Sequence, residues 1–184
     1  MSAPGTPRYP WLDLLETVNR ALQNRHARSL ASAPPGSLHY QQVAAYPPPD
    51  WLGTDGVSEA ELVRHEERLG VRLPPSYREF LQVTNGWDEE TRFSIRMLPI
   101  AEVGWTRDVD PELAEIWTST RPGMADTLYV SEHLEGQVYL LNPNIVTPDG
   151  EWEAWDFANW HPGALEFRSF WDLMTSVFNN GSMP

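Results

Sequence analysis

The sequence predicts an α+β fold: a mostly antiparallel sheet of about four to six strands, helices packed on one face, and a helical arm ahead of it. Three observations carry this. A pair of short helices with agreeing start, stop and periodicity signals spans Val57 to Trp87. Strand candidates then succeed one another with short turns, which favours antiparallel pairing. A capped amphipathic helix closes the series. Two parts are expected, residues 1–50 as a helical arm with a proline-rich connection and residues 51–184 as the α+β domain.

In chain order, Trp11 to Leu30 forms an amphipathic helix with Trp11, Leu15, Val18 and Leu22 on one face. A lone helix of this length is marginal in water, so that face must dock on its own domain or on a partner. Ser32 to Ser37 and Tyr46 to Asp50 read as irregular connections, the second as extended polyproline, with a short strand expected over His39 to Ala45 between them. Ser58 and Glu61 form a capping box, Val57 and Leu62 a hydrophobic staple, and Gly70 a left-handed stop. Pro74-Pro75 bars continuation and Pro75 starts the second helix, whose Tyr77, Phe80, Leu81 and Thr84 fall at i, i+3, i+4 and i+7 before Asn85-Gly86 ends it.

Beyond Trp87 an alternating strand is expected over Arg92 to Leu98 and a proline-started helix over Asp110 to Trp117. Thr127 to Ser131 and Gln137 to Leu141 are the next strands, with Leu134-Glu135-Gly136 as the turn between them. Asn142-Pro143-Asn144 and Thr147-Pro148-Asp149-Gly150 are turn signals, and Glu151 to Phe157 is a further strand. Ser169 with Asp172 caps a last helix that buries Phe170, Leu173, Met174, Val177 and Phe178.

The helical pair also resembles a known family. Ser58-x-x-Glu61-Leu62, Glu66, Leu69-Gly70-Val71, Leu73-Pro74-Pro75-Ser76-Tyr77, Phe80-Leu81 and Asn85-Gly86-Trp87 are similar to the signature of the SUKH superfamily of Smi/Knr type. Met97 to Ile100, Val138 to Pro143 and Arg168 to Met174 resemble its first strand, a central strand and its closing helix. The superfamily includes fungal regulators of cell-wall glucan synthesis and many bacterial immunity proteins. The resemblance implies an α+β binding domain and carries over no catalytic residue.

Composition narrows the chemistry. Cysteine is absent, which removes disulfides, thiolate metal sites and a cysteine nucleophile. All 13 basic residues are arginine, so neither a Schiff-base lysine nor a P-loop lysine exists. His26, His39, His65, His133 and His161 are scattered without metal-ligand spacing, and no GxSxG, phosphate loop or zinc knuckle occurs. Neither metal nor cofactor is expected. No apolar run reaches membrane-spanning length, the first twenty residues lack a secretory pattern, and the expected location is cytoplasmic.

The net charge of −13 is unevenly placed. Residues 1–85 hold 8 Arg against 9 Asp/Glu, a balance of −1, and residues 86–184 hold 5 against 17, a balance of −12. This field repels nucleic acid and anionic membrane and attracts cationic partners, although plain solubility is the simpler account of it. Nine tryptophans are present, several beside acidic residues. They suit either core filling or an interface that anchors on aromatic side chains.

Chemistry alone nominates a partner-binding surface of Trp87, Asp88, Glu89, Glu90, Trp105, Asp108, Asp110, Glu151, Glu153 and Trp155. The resulting expectation is a non-enzymatic protein-binding module, an immunity protein that covers a cationic toxin domain such as a nuclease. A regulatory scaffold for envelope or signalling proteins is the alternative. A sugar binder or glycosidase built on Glu151 and Glu153 with Trp152 and Trp155 is a third reading, since alternate strand residues stand roughly 7 Å apart on one face.

Overall fold

Trp11–Ser32 (α1) begins where Pro10 sets the chain and buries Trp11, Leu15, Val18 and Asn19, all in its first half. The computed structural model describes residues 7–88, 95–160 and 163–181, with backbone alone at 180 and 181. Leu38–Ala45 is a helix (α2), not the expected strand. Ser37 accepts the Tyr40 N–H at 3.1 Å and so caps it, a signal that outweighs the strand propensity of Tyr40 and Val43.

The helical pair forms as its signals require. In Glu59–Leu69 (α3) the Ser58 hydroxyl accepts the Glu61 N–H, and Gly70 at φ 72° closes the helix. Val71 N–H reaches Glu66 O and Gly70 N–H reaches Glu67 O, which together make a Schellman stop. Pro75–Val83 (α4) follows with Tyr77, Phe80 and Leu81 fully buried. Arg78 bridges the two helices, bonding Glu59 and Glu66, and its hydrogen bonds hold the Glu59 carboxyl below its usual range.

The sheet is five-stranded and antiparallel in the order β1-β2-β3-β4-β5: Gly104–Trp105 (β1), Leu128–Tyr129 (β2), Gln137–Val146 (β3), Trp152–Ala158 (β4) and Ala164–Phe167 (β5). Between β1 and β2 lie Thr106–Val109 (α5), Pro111–Trp117 (α6) and a 3-10 turn at Met124–Asp126, and Phe170–Gly181 (α7) follows β5. This is the α+β architecture with a helical arm that the sequence predicts. The five consecutive residues Val138 to Asn142 are all buried, so β3 is covered on both faces. Trp117 packs edge-on to Phe157 of the neighbouring β4 at 5.0 Å.

One turn and one strand differ from the expectation, and the turn over Leu134-Glu135-Gly136 falls where expected. The Asn142-Pro143-Asn144 segment does not end a strand; β3 runs through it on an irregular register between Asn142 and Val146, where Pro143 needs no ladder donor. The expected strand over Arg92 to Leu98 lies partly outside the described residues; beyond them Met97 pairs singly with Trp87 and with Ser131. The Glu135-Gly136 turn, with both residues at positive φ, closes β3 back toward β2 through reciprocal Leu134 and Gln137 bonds. Ser169 and Asp172 cap α7, which buries Phe170, Leu173, Met174 and Phe178.

Candidate protein-binding surface

Three of the nominated residues are buried. Trp87 is 2% exposed, edge-on to Trp51 at 4.9 Å and to Phe178 at 6.4 Å. Trp155 is 3% exposed, with the Arg121 guanidinium 4.3 Å from its ring. Glu151 is fully buried, because the Thr147 to Gly150 turn folds it inward: Thr147 Oγ1 accepts the Glu151 N–H at 2.9 Å, and Thr147 N–H donates to Glu151 O at 2.8 Å. Its carboxylate accepts three bonds, from Tyr9 OH at 2.7 Å, Ser76 N–H at 2.9 Å and Ser76 OH at 2.6 Å. Burial, and then this carboxylate, push the Tyr9 hydroxyl well above the ordinary tyrosine range.

This arrangement corrects the sugar-site reading. Glu153 is half-buried and held by Asn142 Nδ2 at 3.2 Å and Trp155 Nε1 at 2.6 Å, while Glu151 is saturated inside the core. Trp152 and Trp155, at 5% and 3% exposed, offer no open ring face for a sugar to stack on. Among the described residues no three His, Asp or Glu side chains gather to hold a metal ion. His161 lies outside the described residues.

The other nominated residues lie elsewhere. Asp88 is exposed at the end of the helical pair, its N–H bonded to Leu52 O, and Glu89 and Glu90 lie outside the described residues. Trp105 is half-buried; its Nε1 donates to Leu69 O at 3.2 Å and the Arg107 guanidinium stands 5.2 Å from its ring. Asp108 is exposed on α5. Asp110 accepts the Leu113 N–H at 3.0 Å to cap α6 and pairs with His133 Nδ1 at 3.2 Å.

That last contact assembles a surface. It ties the start of α6 to the segment between β2 and β3; the helices carry Asp108, Val109, Glu112, Glu115 and Ile116, and the tied segment carries Leu134 and Glu135. Val109, Ile116 and Leu134 are 42%, 58% and 47% exposed. Glu112, Glu115 and Glu135 are exposed, and among the described residues no arginine pairs with them. Several other carboxylates of this half are engaged, Asp126 by Arg107 and Glu132 by Arg96, and Asp108 stands 4.0 Å from Arg107. The face thus combines unpaired negative charge with solvent-facing apolar side chains, which suits a cationic protein surface.

Sequence reasoning missed Val109, Glu112, Glu115, Ile116, Leu134 and Glu135. One signal was there to read: α6 buries Leu113 and Ala114, which leaves Ile116 as an apolar residue among glutamates off the buried face.

No helix of the described residues is long and apolar enough to cross a membrane. No curated protein matches the chain. The sequence model of the SMI1 / KNR4 family (SUKH-1) matches residues 56–176, from the residue before the hydrophobic staple into α7. That span takes in the capped helical pair and the whole antiparallel sheet, and the chain belongs to the SMI1 / KNR4 (SUKH-1) family.

Proposed function

We propose that this protein is an immunity-type binding module that captures a cationic toxin domain in the cytoplasm and blocks it by coverage. The observation that carries this reading is the α5–α6 face with its hairpin turn, where Glu112, Glu115 and Glu135 stand unpaired around exposed Val109, Ile116 and Leu134. A toxin that cuts or modifies nucleic acid needs a positive cleft to hold phosphate. Carboxylates presented on a rigid helix can occupy that cleft in place of the substrate. Long-range attraction speeds encounter, and burial of the apolar residues slows release.

Asp108 and Asp110 belong to this face, Trp105 borders it, and exposed Asp88 is a proposed addition to the contact surface. Trp87, Glu151 and Trp155 are buried and take no part in it.

The first test is whether the neighbouring reading frame encodes a large secreted protein with a toxin-like end; the second is co-expression with that toxin domain. The wild type is expected to restore growth, and the folded triple variant Asp108→Arg, Glu112→Arg, Glu115→Arg to lose protection. Protection by the reversed variant equal to wild type would sink the acidic-face mechanism. Binding without loss of the partner's activity would favour a regulatory scaffold instead.

A further inference from the structure

The charge of the arm is opposite to that of the body. From Thr17 to Pro49 there is no Asp or Glu, while Arg20, Arg25 and Arg28 all lie on α1. At 100° per residue these three fall within an arc of about 140°. All three are exposed. Five arginines of the body are held in ion pairs, Arg78 with Glu59 and Glu66, Arg96 with Glu102, Arg107 with Asp126, Arg121 with Glu166 and Arg168 with Asp149; Arg68 bonds the Ile100 and Val103 carbonyls, and Arg72 is exposed on the helical pair. Among the described residues no carboxylate pairs with Arg20, Arg25 or Arg28.

Beyond Leu22, which packs on the core, the two helices have little cover, although Ala33 between them is buried. The buried residues of α1 end at Asn19, and α2 buries none. Leu38 is 71% exposed and Tyr46 81%. The hairpin is held together by His26 Nε2 against Val43 O at 2.9 Å and by Ser29 Oγ against His39 Nε2 at 3.4 Å. An eight-residue helix with no buried face is not stable by propensity alone. A cationic, partly apolar helical hairpin therefore stands beside a body that has a complementary face without a partner.

We propose that the α1–α2 hairpin docks on the α6 face of a second copy of this chain, with Arg20, Arg25 and Arg28 meeting Glu112, Glu115 and Glu135. From Arg20 to Arg28 is about 12 Å along the helix at 1.5 Å per residue, the scale of the α6 face. A two-fold pair makes the contact twice and closes the assembly. Polyphosphate is a poorer occupant, since the whole chain carries −13 and repels it. Pairing covers the face assigned to capture, so a cationic partner must displace the second copy. The inference goes beyond the capture reading and is tested with this chain alone, so either can fail without the other.

The experiment is sedimentation velocity of the full chain across a concentration series at low and at high salt. Wild type is expected to associate reversibly, with salt weakening the association. The variant Arg20→Glu, Arg25→Glu, Arg28→Glu, and separately Glu112→Arg, Glu115→Arg, Glu135→Arg, are expected to associate at least about tenfold more weakly, and an equimolar mixture of the two to associate again. Circular dichroism confirms that each variant folds, and a triple Arg→Lys arm that retains association separates charge from helix content. A wild type that stays monomeric throughout, an association indifferent to arm reversal, or a mixture that fails to restore it would overturn the proposal. Binding of the arm only to anionic vesicles or to nucleic acid would overturn it too.

Discussion

The hydroxyl of Tyr9 donates to Glu151 Oε1 at 2.7 Å, joining the segment ahead of α1 to the turn ahead of β4 across 142 positions of sequence. Ser76, at the start of α4, gives the same carboxylate two more bonds. Tyr9 lies outside the family match and Glu151 inside it, so the arm completes a buried polar site of the domain. Replacing Tyr9 by Phe takes one donor from a buried carboxylate and should cost about 1–3 kcal/mol. Glu151→Ala should cost more, because Tyr9 and Ser76 then lose their acceptor within the core. Urea denaturation midpoints measure both; a midpoint unchanged by Tyr9→Phe would contradict the clasp.

The two halves of α1 should respond differently to mutation. Trp11 is 1% exposed, packs against Phe80, Phe170 and Trp171 at 5.2, 5.5 and 4.7 Å, and donates Nε1–H to Ser76 O at 2.9 Å. Trp11→Ala should cost about 3–5 kcal/mol. Arg28→Ala, on the exposed half, should stay within about 0.5 kcal/mol in dilute protein. Thermal unfolding of the two variants compares them directly, and similar losses would refute the division.

Much of this organisation was legible beforehand, for a physical reason. Ser58, Gly70, Pro75 and Ser169 act within a few residues of themselves, so local chemistry determines the helix limits. The class of fold follows from short turns between strands. The places where reading failed depend on distant partners. Nothing near Glu151 announces that Tyr9 and Ser76 will enclose it, and nothing near Trp87 announces Trp51 and Phe178. A Trp or Glu in a loop looks like surface until its partners are known. The acidic face was half legible: Asp108 and Asp110 were visible by charge, but its apolar members required the hairpin turn to be placed beside α6.

Acid should loosen the clasp region through Asp149. Its carboxyl is held far below the usual range, first by the Thr147 hydroxyl and then by Arg168 and Arg8. A folded value lowered from an unfolded value of about 3.9 means the unfolded chain binds the proton more readily. The stabilisation is therefore complete above about pH 4 and is lost as pH falls through the depressed folded value. Melting temperatures of wild type and Asp149→Asn should differ near neutrality and converge in strong acid. A difference that persists unchanged into strong acid would exclude charge as the cause.

Gly86 should tolerate no side chain. Its φ is 105°, and a Cβ there would lie 3.0 Å from Met97 O and 3.3 Å from Pro99 N, both backbone atoms. The strain of this conformation is on the order of 1–3 kcal/mol for an L-residue. Gly86→Ala should reduce the unfolding free energy by that amount, lower the unfolding midpoint accordingly, and disturb the adjacent Trp87–Met97 pairing, visible as a change in near-ultraviolet circular dichroism. A neutral substitution would show that the backbone there can relax.

Capture by the acidic face is tested most directly by the association rate of the cationic partner, measured against salt for wild type and for Asp108→Arg, Glu112→Arg, Glu115→Arg. The wild-type rate should fall steeply with salt, and the reversed protein should associate on the order of tenfold to a hundredfold more slowly at low salt. Equal rates for the two proteins, with little dependence on salt, would contradict it.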